Sequence, residues 1–148
     1  MTNKKPLALQ IKQLLVLFQN SVAEEAHKQG VSLTYFPIIR FLRVNAENNI
    51  TQSDIANYLN FKAPSISKTL KNMEADGLLK RTKSEEDSRK TYVSLTDKGI
   101  EMDGKIRECY AQIEGLMRNA IGAEEIAHLE QYIRTLSEAL EKRRDSDD

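Results

Sequence analysis

A predicted helix over residues 63–76 carries small residues, hydroxyls and cations along one side. At 3.6 residues per turn, its apolar residues Ile66, Leu70 and Met73 fall on the opposite side, toward a core. Small side chains near a helix start allow close approach to a duplex, and hydroxyl and ammonium groups reach phosphates and base edges. This chemistry indicates contact with the major groove of double-stranded DNA. The residues expected to make it are Ala63, Pro64, Ser65, Ser67, Lys68 and Lys71.

A surface helix ordinarily shows charged residues opposite its apolar side, so the helix alone does not establish DNA binding. The segment after it favours DNA. Apolar runs at 78–79 and 91–95 flank a polar stretch over 80–90, which predicts a β-hairpin with a long charged tip. Lys83, Arg89 and Lys90 lie in that tip, and Arg89 is suitably placed to enter a narrow minor groove. Short helices joined by a tight turn and followed by a hairpin are typical of a winged helix-turn-helix.

The overall charge of the chain gives no indication of a nucleic-acid partner. The chain has 148 residues, with 22 Lys and Arg against 22 Asp and Glu, so its formal net charge is zero. The local distribution over residues 62–90 is basic, which predicts salt-dependent affinity of moderate strength. The cations there are Lys62, Lys68, Lys71, Lys80, Arg81, Lys83, Arg89 and Lys90, and the carboxylates are Glu74, Asp76, Glu85, Glu86 and Asp87.

The helix before the DNA-contacting one has the clearest start signal in the chain. Thr51 and Asp54 have the spacing of a capping box, with Asp in place of the usual Glu. Ile50 and Ile55 have the spacing of a hydrophobic staple around it. These local signals predict a short helix that supports the helix at 63–76.

Long amphipathic helices are predicted on both sides of this module. Apolar residues recur at helical spacing from Leu7 to Val22 and from Ile100 to Ile121, and a last helix after Gly122 carries a coiled-coil-like seam. Such seams can pack within one chain, but one small winged module cannot cover them all. A two-fold dimer interface is therefore the favoured interpretation. A dimer would place its two modules on half-sites about one helical turn, ~34 Å, apart.

These elements together predict a mainly α fold with a small β-hairpin wing. We expect one domain over residues 1–148, with a winged helix-turn-helix module at 34–96. The terminal helices, at 7–30 and 97–144, form the predicted dimerisation region.

Two short motifs give the chain a family resemblance. Asp87-Ser88-Arg89 is followed by Leu95-Thr96-Asp97-Lys98-Gly99, and the stretch before them includes Glu74-Ala75-Asp76-Gly77-Leu78-Leu79. This pattern resembles the wing and recognition helix of the MarR (multiple antibiotic resistance regulator) family of bacterial winged-helix regulators. The resemblance extends over nearly the whole chain, because the family also has flanking helices of this order and length.

The resemblance implies roles for particular residues. Arg89 would insert into the minor groove, and Asp87 would hold the wing in shape by pairing with Arg81 or Arg89. Ser65, Ser67 and Lys68 would contact the major groove. The chain departs from the family at Lys62, where Ser or Asp often caps the recognition helix, because lysine cannot accept an amide hydrogen bond.

Many members of the family release DNA when a small phenolic or amphipathic compound binds between the DNA-binding module and the dimer helices. The resemblance therefore implies a possible effector cleft, although the same residues are equally consistent with ordinary core. The residues whose predicted placement fits such a cleft are Phe18, Tyr35, Phe36, Ile39, Met102 and Ile106.

Other kinds of site find little support. His27 and His128 are isolated and the single cysteine, Cys109, is expected to be structural, so neither a metal site nor a cofactor is predicted. No glycine-rich phosphate loop or nucleophile motif indicates an enzyme. No apolar run approaches the ~20 residues of a membrane span, and the chain is expected to be cytoplasmic.

The predicted function is sequence-specific transcriptional regulation, as a homodimer on a pseudo-palindromic operator, with repression and release by an effector as the expected mode. The alternative is a winged-helix module that contacts another protein without sequence-specific DNA binding. The zero net charge leaves that alternative open.

Overall fold

The computed structural model describes residues 5–146, and it describes side-chain burial up to residue 143. Residues 1–4 and 147–148 of the predicted domain lie outside this part. Within it, six helices and one two-stranded antiparallel sheet confirm the mainly α fold with a hairpin. In chain order they are α1 (Leu7–Lys28), α2 (Phe36–Val44), α3 (Gln52–Leu59), α4 (Ala63–Ala75), β1 (Leu79–Lys83), β2 (Thr91–Leu95), α5 (Asp97–Ile121) and α6 (Ala123–Ser146).

The chain divides into two compact units, one ending at Tyr110 and the other beginning at Ala111. The first unit contains α1 to β2 and the first half of α5. The second contains the end of α5 and all of α6.

The predicted capping box is present at the start of α3. The backbone N–H of Asp54 donates to Thr51 Oγ1 at 3.2 Å, and the backbone N–H of Thr51 donates to Asp54 Oδ2 at 2.8 Å. Hydrogen bonds from the Thr51 side chain and backbone lower the pKa of Asp54 below its ordinary value. The box satisfies amide groups that the first helical turn leaves open, and it fixes where α3 begins.

A second cap joins the end of the module to α5. Thr96 Oγ1 accepts a hydrogen bond from the N–H of Gly99 at 3.2 Å and donates to the carbonyl of Gly77 at 2.6 Å. Gly99 is required there, because a Cβ at this position would lie 2.2 Å from the carbonyl oxygen of Leu78. Thr96 thus caps α5 and ties its first turn to the α4–β1 connection.

The hairpin differs from its prediction in one respect. Strand β1 runs from Leu79 to Lys83 and pairs with β2 from Leu79↔Leu95 to Lys83↔Thr91. The predicted long charged tip is therefore shorter than the polar stretch over 80–90, and it is confined to 84–90. Because residues 80–83 are polar, the sequence pattern did not indicate a strand there. This strand is held by backbone pairing with β2 rather than by an apolar face.

A hydrophobic core of the first unit lies inside the winged module. Buried side chains from α2, α3, α4 and both strands form one cluster, and β2 also pairs with the chain before α3 through a 2.8 Å bond from Val93 N–H to the Ile50 carbonyl. This shared core fixes α4 and the hairpin relative to each other. Its buried members are Ile38, Ile39, Leu42, Ile50, Ile55, Ala56, Ile66, Leu70, Met73, Leu78, Leu79 and Val93.

Candidate nucleic-acid interface

Helix α4 buries its apolar side and exposes its polar side, as the sequence predicts. Ile66, Leu70 and Met73 are buried in the module core. The residues predicted to contact DNA lie on the other side, where all are exposed except Ser67, which is half-buried at the margin. The exposed members are Ala63, Pro64, Ser65, Lys68 and Lys71.

The start of α4 has no side-chain cap. Lys62 occupies the N-cap position and makes no capping hydrogen bond, while Pro64 lies in the first turn. The first amide groups of a helix carry partial positive charge and point out of its N-terminus. An anionic oxygen, such as a DNA phosphate, suits this end of α4.

The tip of the hairpin is a hydrogen-bonded loop. Ser84 Oγ accepts from the backbone N–H groups of Glu86 and Asp87 at 3.3 and 3.2 Å. The backbone N–H of Ser84 donates to the carbonyl of Lys90, and that of Lys90 donates to the carbonyl of Asp87. Sequence reasoning missed the role of Ser84, although a hydroxyl two and three residues before these amides is the signal of a Ser/Thr turn.

Asp87 holds Arg89 within the tip. Asp87 Oδ1 accepts from the backbone N–H and the Nε of Arg89 at 3.0 and 3.1 Å, and Oδ2 lies 3.3 Å from Nη2. The side-chain and backbone hydrogen bonds from Arg89 lower the pKa of Asp87 below its ordinary value. The Arg89 side chain is nevertheless 89% exposed, so its charge projects from the wing.

Arg81, the other arginine proposed as a partner for Asp87, pairs elsewhere. Its Nε donates to Glu74 Oε2 at 3.0 Å, which joins β1 to the last turn of α4. The Arg81 guanidinium lowers the pKa of Glu74 below its ordinary value. This link was not anticipated from the sequence, because Glu74 was counted only as a local negative charge.

An open groove of about 680 Å³ lies between the wing and the start of α3. Arg89 and Lys90 border it on one side, and Gln52 and Ser53 of the first turn of α3 border it on the other. Lys83, the third predicted wing cation, is exposed at the end of β1. The groove brings the α3 start next to the wing, a neighbour that the sequence pattern did not indicate.

The six residues predicted for an effector cleft separate into different surroundings. Tyr35, Ile39 and Met102 line one cavity of about 240 Å³, with Lys98 also in its lining. The other three predicted residues do not line this cavity. Phe18 and Phe36 contact the ring of Tyr110, with centroid distances of 5.8 and 5.2 Å, and Ile106 is fully buried.

The remaining predictions concern groups outside the interface. Cys109 is fully buried, and burial raises the pKa of its thiol. Among the described residues, no group of three or more His, Cys, Asp or Glu side chains is arranged to hold a metal ion. No helix within residues 5–146 combines the length and apolar character needed to cross a membrane.

Comparison with known proteins decides the family. The model of the MarR family matches residues 29–90, which include α2, α3, α4 and most of the wing. The homoprotocatechuate degradative operon repressor of Escherichia coli is 35% identical over 100 residues, covering 64% of this chain and 67% of the repressor. The chain belongs to the MarR family. It is a transcriptional regulator and not an enzyme, as the sequence predicts.

Other MarR-family comparisons extend over more of the chain. The organic hydroperoxide resistance transcriptional regulator of Bacillus subtilis is 27% identical over 113 residues, covering 76% of each protein. MepR, a regulator of the Staphylococcus aureus efflux pump MepA, has a TM-score of 0.78 at 17% identity, covering 92% of this chain and 99% of MepR. MepR in a DNA complex gives 0.74, with the same coverage. These structures establish the MarR fold of this chain.

Proposed function

We propose that this MarR-family regulator acts in the bacterial cytoplasm as a homodimer that represses transcription from a pseudo-palindromic operator. The observation that carries the proposal is the side chain of Arg89, held by Asp87 and still 89% exposed at the wing tip. A preorganised, exposed guanidinium loses little conformational freedom when it enters a minor groove, where it meets strong negative potential.

Helix α4 supplies the major-groove contacts in this proposal. Ser65 and Lys68 are exposed toward solvent, and Ser67 lies beside them. Ala63 and Pro64 add no bulk at the N-terminus, so the backbone can approach the duplex closely. Hydroxyls and lysines make contacts both to phosphates, which set register, and to base edges, which give sequence preference. Lys71 lies about one turn after Lys68 and is proposed to contact the phosphate backbone.

The wing supplies the minor-groove contact. Arg89 enters the groove, while Lys83 and Lys90 neutralise the flanking phosphates. Asp87 and Arg81 are structural residues of the wing, the first through Arg89 and the second through Glu74. Because the wing and α4 share one core, both contacts are made from one rigid module.

Exposed apolar side chains support the homodimer. On α1, Leu7, Leu14 and Leu15 are 63%, 54% and 52% exposed. In the second unit, Tyr132 and Leu140 of α6 are 62% and 69% exposed. Large apolar side chains exposed in such numbers on a folded protein mark an interface, and a second copy of the chain offers the same side chains in return.

The cavity lined by Tyr35, Ile39 and Met102 is the proposed effector site. Its lining combines apolar and aromatic side chains with the polar residues Ser32, Asp76 and Lys98. The Nζ of Lys98 donates to the Asp76 carbonyl at 2.7 Å. A small aromatic or amphipathic compound fits this chemistry. It would release DNA only by binding more tightly to the DNA-free arrangement, since a ligand shifts an equilibrium by its difference in affinity.

Selection from a random duplex library at two salt concentrations tests the proposal. We expect a palindromic consensus with half-site centres about one helical turn apart. Weak retention without sequence preference, lost at moderate salt, would instead favour a winged-helix module that contacts another protein. Adding small aromatic acids and hydrophobic cations to the selected complex then tests the effector site.

A further inference from the structure

Asp103 is the only buried charged side chain among residues 5–143, with 1% of its surface exposed. It lies in the first half of α5, one position after Met102, which lines the proposed effector cavity. Removing a carboxylate from water is costly unless cationic and hydrogen-bonding partners replace the lost hydration. Asp103 is therefore expected to contact such partners, and these contacts indicate its role.

Two arginines share one oxygen of this carboxylate. Asp103 Oδ2 accepts from Arg107 Nε at 3.1 Å, one turn further along the same helix. Arg40 of α2 brings its Nη1 to 3.6 Å from the same oxygen. Asp103 Oδ1 is buried and has no hydrogen-bond partner within the described structure. The contact between Asp103 and Arg107 within α5 is thus a hydrogen bond, whereas the contact between Asp103 and Arg40 of α2 is longer than a hydrogen bond.

Arg40 is attached to the rigid part of the DNA-binding module. Its neighbour along α2, Ile39, is fully buried in the module core, beside Ile38 and Leu42. Arg40 itself is 45% exposed and has donors to spare, because a guanidinium carries five N–H groups in a planar fork. A small shift of the module against α5 changes how many of these donors reach Asp103.

We propose that Asp103 is a positioning residue for DNA binding. Through Arg40 it sets the tilt of the winged module on α5, and its unpartnered Oδ1 accepts a second hydrogen bond from Arg40 in the DNA-bound arrangement. Bidentate pairing of this kind has strict geometry, and packed cores switch between discrete arrangements rather than deforming smoothly. Asp103 thereby selects the separation of the two recognition helices. This inference rests on the proposed function as a dimeric DNA reader.

The test compares Asp103→Asn and Arg40→Gln with wild-type protein on operators whose half-site spacing is altered by one base pair. We expect each variant to lose about fivefold or more of the spacing preference, while thermal unfolding confirms that it is folded. The double variant should lose no more than either single one, because the two residues act through each other. Equal weakening on every spacing, or unchanged preference, would overturn the inference.

Matched control variants distinguish the specific role of the Asp103–Arg40 pair from a general effect of removing charge. Glu101→Gln removes an exposed carboxylate of α5 that pairs with Lys105, and Arg43→Gln removes an exposed cation of α2. Both should keep the wild-type spacing preference. If one of them loses as much preference as Asp103→Asn, general charge effects explain the result and the inference fails.

A second readout needs no operator. A spin label at Lys80→Cys, with the buried Cys109 left in place, reports the distance between the two wings of a free dimer by pulsed electron paramagnetic resonance. We expect Asp103→Asn and Arg40→Gln to shift or broaden this distance relative to wild type. An unchanged distribution would contradict the inference. If wild-type protein selects no operator, the proposed function fails, and this measurement still decides the role of Asp103.

Discussion

Arg81 of β1 donates from its Nε to Oε2 of Glu74, at the last turn of α4, over 3.0 Å. The pair links the base of the wing to the far end of the recognition helix, outside their shared apolar core. Both elements are proposed to contact DNA at once, one in each groove. The pair therefore restrains the angle between the two contacts.

Loss of this pair should weaken DNA binding without unfolding the module. Exposed ion pairs contribute little to stability, so the module should stay folded in Arg81→Gln and in Glu74→Gln. Because such a pair is weak, we expect each variant to weaken operator binding by less than about fivefold. The diagnostic result comes from a double-mutant cycle measured by fluorescence anisotropy. The double variant should bind as well as the Arg81→Gln variant. Fully additive losses would show that the two residues act independently and would contradict the proposed restraint.

Wing order should depend on pH through Asp87. Hydrogen bonds from Arg89 hold the pKa of Asp87 below its ordinary value. Because the folded value is depressed, the contribution of the carboxylate is complete above the ordinary pKa, about 3.9, and is lost as pH falls through the folded value. Protection of the Arg89 Nε–H, followed by NMR, should therefore stay constant from neutral pH to about 5 and fall only below about pH 4.

Asp87→Asn gives the matched comparison for this titration. At neutral pH it should reduce Arg89 Nε–H protection to the level that wild type shows in acid. Operator affinity should fall with it, because Arg89 is no longer preorganised. Protection that is the same in the variant and in wild type would mean that Asp87 does not restrain the arginine in solution.

Two glycines of α5 should respond in opposite ways to alanine. A Cβ at Gly99 would lie 2.2 Å from the Leu78 carbonyl oxygen, whereas one at Gly104 would meet nothing within 4 Å. We expect Gly99→Ala to lower the free energy of unfolding by about 1–3 kcal/mol through overpacking. Gly104→Ala should raise it by roughly 0.5–1 kcal/mol, because alanine favours the helix. Urea denaturation measures both, and equal effects would contradict the packing described at Thr96.

Charge placed on the apolar side of α1 should disrupt the dimer. Leu14 is 54% exposed there, and we expect Leu14→Glu to shift the protein toward monomer in sedimentation velocity at micromolar concentration. Val44 of α2, which is 64% exposed, provides a matched control outside the proposed interface. Val44→Glu should leave the sedimentation coefficient unchanged. A monomeric wild-type protein would refute the proposed homodimer.

Features set by local spacing could be predicted from the sequence. The capping box at Thr51 and Asp54 and the buried side of α4 depend on residues within a turn or two of each other, and both are present as expected. The DNA-contacting side of α4 follows from the same periodicity. Its contacts with a duplex stay a prediction.

Features set by long-range packing could not be predicted in this way. Glu74 meets Arg81 only because the hairpin folds back along α4, and Arg40 meets Asp103 only once α2 packs beside α5. Neither pair has a sequence spacing that marks it. The extent of β1 was missed for a similar reason, since its pairing partner lies beyond the tip and its own residues are mostly polar.

The affinity of Arg89→Ala for the selected operator tests the central claim most directly. Arg43→Ala, which removes an exposed arginine from α2, is the control measured beside it at the same two salt concentrations. If Arg89 reads the minor groove, its variant loses about 1–3 kcal/mol of binding free energy while the control binds like wild type. Equal affinity of the two variants would contradict the account and would make Arg89 an ordinary surface charge.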